Sequence, residues 1–148
     1  LYREIASRKM FALFHAGYDP AFPNDARAAP VRFAKARDKV PELTMILAHL
    51  GGYQAWDEVI ECLAGSRVYF DTSFAHEARP ATVERILQVH DETRILFGSD
   101  APWTRQLDAL SHVRSLPITA GHRRAILGGN AERLLRQHRL SLPGKAAG

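Results

Sequence analysis

Four short apolar runs, each followed by turn residues, alternate along this chain with segments of helical period, and that alternation restricts the fold more than any other feature. The runs are 10–14, 44–48, 68–70 and 94–97. Each is too short for a helix, and each is apolar nearly throughout instead of alternating with polar residues. Strands buried on both faces have this character, and they occur in parallel sheets covered by helices. The turns that follow are Ala16-Gly17, Gly51-Gly52, Thr72-Ser73 and Ala101-Pro102. Run starts recur roughly every 25 to 35 residues, the size of a strand-plus-helix unit in doubly wound sheets and barrels.

The intervening segments supply the helices. Residues 2–9 end one, and 29–39 form a second that Pro41 stops. Trp56, Val59, Ile60 and Leu63 recur at helical spacing in a third, closed by Gly65. Pro80 opens a fourth, with Val83, Ile86, Leu87 and His90 as its inner stripe. Leu107, Leu110 and Val113 mark a fifth and 119–127 a sixth; Asn130 is expected to cap the last, with Leu134 and Leu135 facing inward. The expected organisation is one α/β domain over residues 1–140 with a flexible polar tail, 141–148.

Composition fits a soluble globular domain: 46% of the 148 residues are apolar and 24% charged. The net charge of +4 raises nucleic acid as a partner, but the basic residues are interleaved with acids along helix surfaces and read as solvated faces. No apolar run approaches the roughly 20 residues of a membrane span, and the N-terminus lacks signal-peptide order, so a cytoplasmic location is expected. The single cysteine, Cys62, excludes an internal disulfide and reads as a small residue of a helix face. A start at Leu1, running directly into a helical pattern, suggests a piece of a longer chain.

Chemistry-bearing residues stand where the runs end. The first ends Phe14-His15-Ala16-Gly17, the second Ala48-His49-Leu50-Gly51-Gly52, the fourth Phe97-Gly98-Ser99-Asp100-Ala101-Pro102. Strand side chains alternate, so Phe11, Leu13 and His15 are expected on one face, as are Met45, Leu47 and His49, and Leu96, Gly98 and Asp100. If that shared face is a barrel interior, three ligand-type side chains converge at the strand ends where such folds place their sites. Imidazoles and a carboxylate suit a divalent metal, zinc first among them. Alone, a histidine on an apolar strand is more often a hydrogen-bonded core residue. Two histidines and an aspartate at equivalent strand ends resist that explanation, because each must be desolvated. The glycine that soon follows each histidine also permits a close backbone approach.

The segments FHAGYDP, ILAHLGG, VYFDTSFA, ILFGSDAPW and ILGGNAERLL together resemble the last four strands and terminal helix of the amidohydrolase-related (amidohydrolase 2) group of TIM-barrel enzymes. That group includes decarboxylases of aromatic and unsaturated carboxylic acids and hydrolases of lactones and related compounds. The resemblance implies the C-terminal portion of a (β/α)8 barrel. It implies His15 as a metal ligand on the fifth strand and His49 on the sixth as a residue acting on substrate or metal-bound water. Asp100, on the eighth strand, is implied to touch both metal and water. The group's first-strand His-x-His pair has no counterpart here. An isolated segment is therefore expected to bind metal poorly and to be inactive without the missing N-terminal half of the barrel.

Four further residues are candidates for substrate contact. Tyr18 follows the first ligand in a loop, the alternative being an ordinary surface turn. Ser73 faces as Tyr69 and Asp71 do, and either touches substrate or hydrogen-bonds within its loop. His76 transfers a proton, contacts substrate or lies on the surface; Trp103 walls the pocket or packs over the barrel mouth. His90, His112, His122 and His138 read as surface or helix-packing residues. The leading expectation is a metal-dependent hydrolase in which activated water attacks an amide, ester or lactone of a small-molecule substrate. Asp100 would accept the water's proton and His49 would polarise the carbonyl or move a proton. The alternatives are a metal-dependent non-oxidative decarboxylase and a non-catalytic α/β fragment, and a homo-oligomer is compatible with any of them.

Overall fold

The computed structural model describes residues 1–19, 21, 22 and 25–138, so the expected tail lies outside the described residues. Four strands form one sheet, β1 (Phe11–Phe14), β2 (Thr44–Leu47), β3 (Tyr69–Asp71) and β4 (Ile95–Leu96), in the order β1-β2-β3-β4. Every neighbouring pair is parallel, with Leu13 beside Ile46, Ile46 beside Tyr69, and Asp71 beside Leu96. The helices are α1 (Tyr2–Ser7), α2 (Pro30–Lys39), α3 (Trp56–Cys62), α4 (Pro80–Val89), α5 (Gln106–Ser115), α6 (Ala120–Arg124) and α7 (Asn130–Gln137). Proline at the first position of α2 and of α4 lacks only an N–H that has no intrahelical partner there. In α4 the buried Val83, Ile86 and Leu87 fall on one side at the expected spacing.

Each face of the sheet has its own core. Met45, Leu47, Phe70 and Ile95 lie in the larger one with helix residues such as Phe33, Val59, Ile86 and Val113. Ile46, Tyr69 and Leu96 lie on the opposite face, packed with Leu134 of α7 and against Phe11. Alternation thus holds for β1 and β4, but Met45 and Leu47 point to the helices and not to the face that continues toward His15.

Helix α7 closes the N-terminal ends of the strands. Its first residue, Asn130, is not the expected cap: the side-chain amide donates to the carbonyls of Glu92 and Ile95, each at 2.7 Å, and anchors the helix to the start of β4. At the far end the His138 ring meets Phe11 edge-on at 5.4 Å and bonds the carbonyl of Lys9 before β1. The expected helix over 119–127 divides instead into α6, capped by the Thr119 hydroxyl, and a π-type turn over Ala125–Gly129. His90 is neither on the surface nor between helices. Its ring is stacked on Phe70 at 4.1 Å and bonded to Gly65 N and the Val68 carbonyl. Cys62 is half-buried, and burial pushes its thiol up from the ordinary value. Among the described residues no helix is long and apolar enough to cross a membrane.

Candidate functional site

The open C-terminal ends of the strands carry the site. Loop backbones after β1 and β2 are bonded together, Tyr53 N to the Ala16 carbonyl at 2.8 Å and Tyr18 N to the Tyr53 carbonyl at 2.9 Å. Gly17 makes this possible: its φ is +102°, and a Cβ there would lie 2.1 Å from Tyr53 N. The zipped loops fix the histidine that ends β1 beside the one that follows β2, and His15 Nδ1 lies 3.2 Å from His49 Nε2.

His49 reaches this place by breaking the strand's alternation. Strict parity would send its side chain with Met45 and Leu47 to the helices. After Leu47 the backbone turns instead, with His49 at φ 61° and Leu50 at φ 51°, both in the left-handed region. Such conformations cost of order 1–3 kcal/mol per non-glycine residue and gather at functional sites. Asp100 (φ 55°) and Phe74 (φ 53°) share the feature at the ends of β4 and β3. Gly51 follows with φ +86° over the ring of Phe70, where a Cβ would lie 2.5 Å from Cε1.

His49 is 4% exposed and bonded on every side. Its Nδ1 lies 2.8 Å from Ser73 Oγ, its backbone N–H donates to Asp71 Oδ1 at 3.2 Å, and its carbonyl accepts from Trp56 Nε1 at 2.8 Å. Ser73 Oγ in turn donates to Asp71 Oδ1. Burial holds the His49 imidazole below its ordinary pKa, and the nearby His15 acts in the same direction. The carboxylates of Asp71 and Asp100 oppose that shift, which places both charges within reach of the ring.

A cavity of about 500 Å³ opens over these groups, bounded by His15, His49, Tyr53, Phe74, Asp100 and Trp103. His15, His49 and Asp100 therefore come together, His15 and Asp100 exposed to the cavity and His49 beneath them. Trp103, 80% exposed, stands at its wall. Tyr53 meets the rings of His49 and Phe74 edge-on, and its hydroxyl donates to Glu77 at 2.7 Å.

Of the other candidates, Tyr18 and His76 fall elsewhere. Tyr18 lines a separate cavity with Glu77 and Arg79. His76 stacks on the outer side of Phe74 and faces His112 of α5, with ring centroids 6.1 Å apart. Ser73 is 3% exposed, its hydroxyl spent on His49 and Asp71. It also borders a second cavity at the strand ends together with His15, His49, Asp71 and Asp100. Asp71 was not singled out from the sequence. Its signal was there in Phe70-Asp71-Thr72-Ser73, an acid at a strand end on the face of Tyr69.

The profile of the amidohydrolase family, second group, matches residues 1–137. The chain belongs to the amidohydrolase family. Among curated proteins none matches its sequence. Solved structures do. The 2,6-dihydroxybenzoate decarboxylase from Rhizobium is 17% identical with a TM-score of 0.68, the match covering 91% of this chain and 54% of that one. A TIM-barrel protein from Bordetella bronchiseptica is 20% identical with a TM-score of 0.69, covering 93% and 50%. The dihydroxybenzoic acid decarboxylase from Polaromonas sp. JS666, solved with manganese and the inhibitor 2-nitroresorcinol, is 19% identical with a TM-score of 0.63, covering 91% and 52%. This amidohydrolase chain spans about half the length of those structures, and the likeness is one of fold: four parallel strand–helix units of a TIM barrel.

For a divalent metal, the donors at these strand ends fit in kind and fall short in number. An imidazole and a carboxylate are ligands such an ion takes, and catalytic sites commonly use three protein ligands or more. His49 has both ring nitrogens engaged, which leaves His15 and Asp100 as available donors. Among the described residues no three His, Cys, Asp or Glu side chains are grouped to hold an ion between them.

Proposed function

We propose that this segment, residues 1–140, carries the proton-handling half of a metal-dependent active site that decarboxylates an aromatic carboxylic acid without oxidation. The observation that carries the reading is the buried imidazole of His49, anchored at both ring nitrogens beneath a cavity walled by Tyr53, Phe74 and Trp103. Ring walls suit a ring substrate, and a volume of about 500 Å³ suits a small one.

His15 and Asp100 would hold the ion, zinc or manganese, together with ligands from outside this segment. When bound, the metal supplies positive charge that anchors the anionic oxygens of the substrate. The remaining chemistry belongs to His49. With Nδ1 engaged by Ser73, a proton that His49 takes up sits on Nε2, and from there it passes to the ring carbon bearing the carboxylate. That carbon–carbon bond then breaks, its electron pair returns to the ring, and carbon dioxide leaves. Burial disfavours the charged ring, so a His49 imidazolium, once formed, is a stronger acid than a free one. The two related decarboxylases act on dihydroxybenzoates by name, and that class is the proposed substrate here.

Hydrolysis of an amide, ester or lactone is the second reading, and Asp100 favours it. An exposed carboxylate at a strand end beside a candidate ligand is placed to take a proton from an attacking water. The full protein, loaded with manganese or zinc, is to be offered a panel of hydroxybenzoates and a panel of lactones and amides. Release of carbon dioxide from the first supports decarboxylation; turnover of the second alone replaces it with hydrolysis.

A further inference from the structure

His49 sits in the middle of an oriented chain of hydrogen bonds whose anchor is Asp71. A carboxylate only accepts, and a serine hydroxyl has one proton to give. Ser73 gives that proton to Asp71 Oδ1, so toward His49 Nδ1, 2.8 Å away, its oxygen is an acceptor. His49 Nδ1 therefore carries a proton. A neutral imidazole has only one N–H, so His49 Nε2 presents a lone pair. The 3.2 Å contact between His49 Nε2 and His15 Nδ1 is then closed by a proton on His15. The remaining nitrogen of His15, Nε2, is left bare, which is the state a metal requires of it.

The anchor is itself built in. Asp71 Oδ1 accepts from the backbone N–H groups of Ser73 at 2.9 Å and His49 at 3.2 Å. Its carboxyl group rests against Gly98 of the next strand segment, where a Cβ would lie 2.7 Å from Asp71 Cγ. Thr72 bonds that same glycine, its hydroxyl within 3.2 Å of Gly98 N. Ser73 and His49 are 3% and 4% exposed, so the bond between them is largely shielded from water.

We propose that Asp71 and Ser73 are positioning residues that hold His49 with its proton on Nδ1 and, through it, leave Nε2 of His15 as the ligating nitrogen. The consequence for catalysis rests on the reading of His15 as ligand and His49 as proton carrier; the tautomers themselves do not.

The test is long-range ¹H–¹⁵N correlation on the full protein, histidine-labelled and metal-free, at about pH 8, where imidazoles of ordinary pKa are neutral. Wild type is expected to show Nδ1–H at both His49 and His15. Ser73→Ala is expected to move His49 toward the Nε2–H form and to weaken manganese binding by about 10- to 100-fold, and Ser73→Thr to restore both. If Ser73→Ala does not fold, Asp71→Asn is read instead, with the same shift expected. An Nε2–H His49 in wild type, or a tautomer unmoved in the folded variants, overturns the proposal. Carbon dioxide release by wild type is measured beside it. The stated tautomers without turnover sink the substrate reading alone, whereas turnover with Nε2–H at His49 sinks the positioning role alone.

Discussion

Nδ1 of His15 lies 3.2 Å from Nε2 of His49, although 34 residues separate them in the chain and they belong to different strand–helix units. Parallel pairing of β1 with β2 brings the two strand ends side by side, and the bonded loops above them lock the approach. What each histidine does then differs by exposure. His15 faces the cavity, and His49 lies beneath it in a web of hydrogen bonds.

His49→Asn in the full protein, assayed at saturating metal, is expected to lower kcat by about 10² to 10⁴, the usual worth of a positioned acid or base, and to weaken metal binding by no more than the roughly 10- to 100-fold expected when His15 loses its hydrogen-bond partner. Steady-state kinetics with metal analysis check it. A variant that stays metal-free even at saturating metal would make His49 a ligand and remove it from proton transfer.

Gly98→Ala forces a methyl group to within 2.7 Å of Asp71 Cγ, in a place with no room for it. The expected cost is about 1–3 kcal/mol of stability, as for other overpacked sites, with a fall in activity because Asp71 is displaced from Ser73 and His49. Denaturant unfolding beside an activity assay reads both. Unchanged stability and activity would mean that Asp71 moves without consequence.

Burial pushes the His90 imidazole down to about 4 from its ordinary 6.5. Between those two values the unfolded chain binds a proton that the folded chain does not, so stability falls as pH drops from about 6.5 toward 4 and the loss levels off below that. The span is about 3 kcal/mol at most. Urea unfolding of wild type and His90→Gln at pH 7 and pH 4.5 measures it: the variant should show the smaller pH dependence.

Asn130→Ala removes both bonds by which α7 is attached to β4, leaving the carbonyls of Glu92 and Ile95 without that partner. A loss of about 1–3 kcal/mol is expected. Hydrogen exchange should rise first in α7 and the smaller core it closes around Leu134. Exchange unchanged in α7 would show that the Asn130 bonds are not what holds the helix.

Sequence reasoning reached the architecture because continuous apolar runs and helical stripes are set by burial, and burial here follows the chain order of four repeated units. It located His15 and Asp100 at the strand ends for the same reason. For His49 the face was argued from alternation, and alternation is broken: Met45 and Leu47 point to the helices, and the ring reaches the cavity only through two left-handed residues. No period in the sequence announces such a turn, though Gly51-Gly52 allows it. Asp71, Ser73 and the anchoring of Asn130 were less legible, because a hydrogen-bond partner distant in the chain leaves no mark on local pattern. His90 was misplaced for a related reason: its helical stripe continued past the helix end, while its ring turned back onto Phe70.

Metal content of the full protein, stripped and reloaded with manganese or zinc, tests most directly the claim that these strand ends form a metal-dependent site. Wild type is predicted to retain the ion stoichiometrically through desalting, His15→Ala and Asp100→Ala to lose most of it, and His49→Asn to retain more than either. A His15→Ala protein carrying the full wild-type complement would contradict the account.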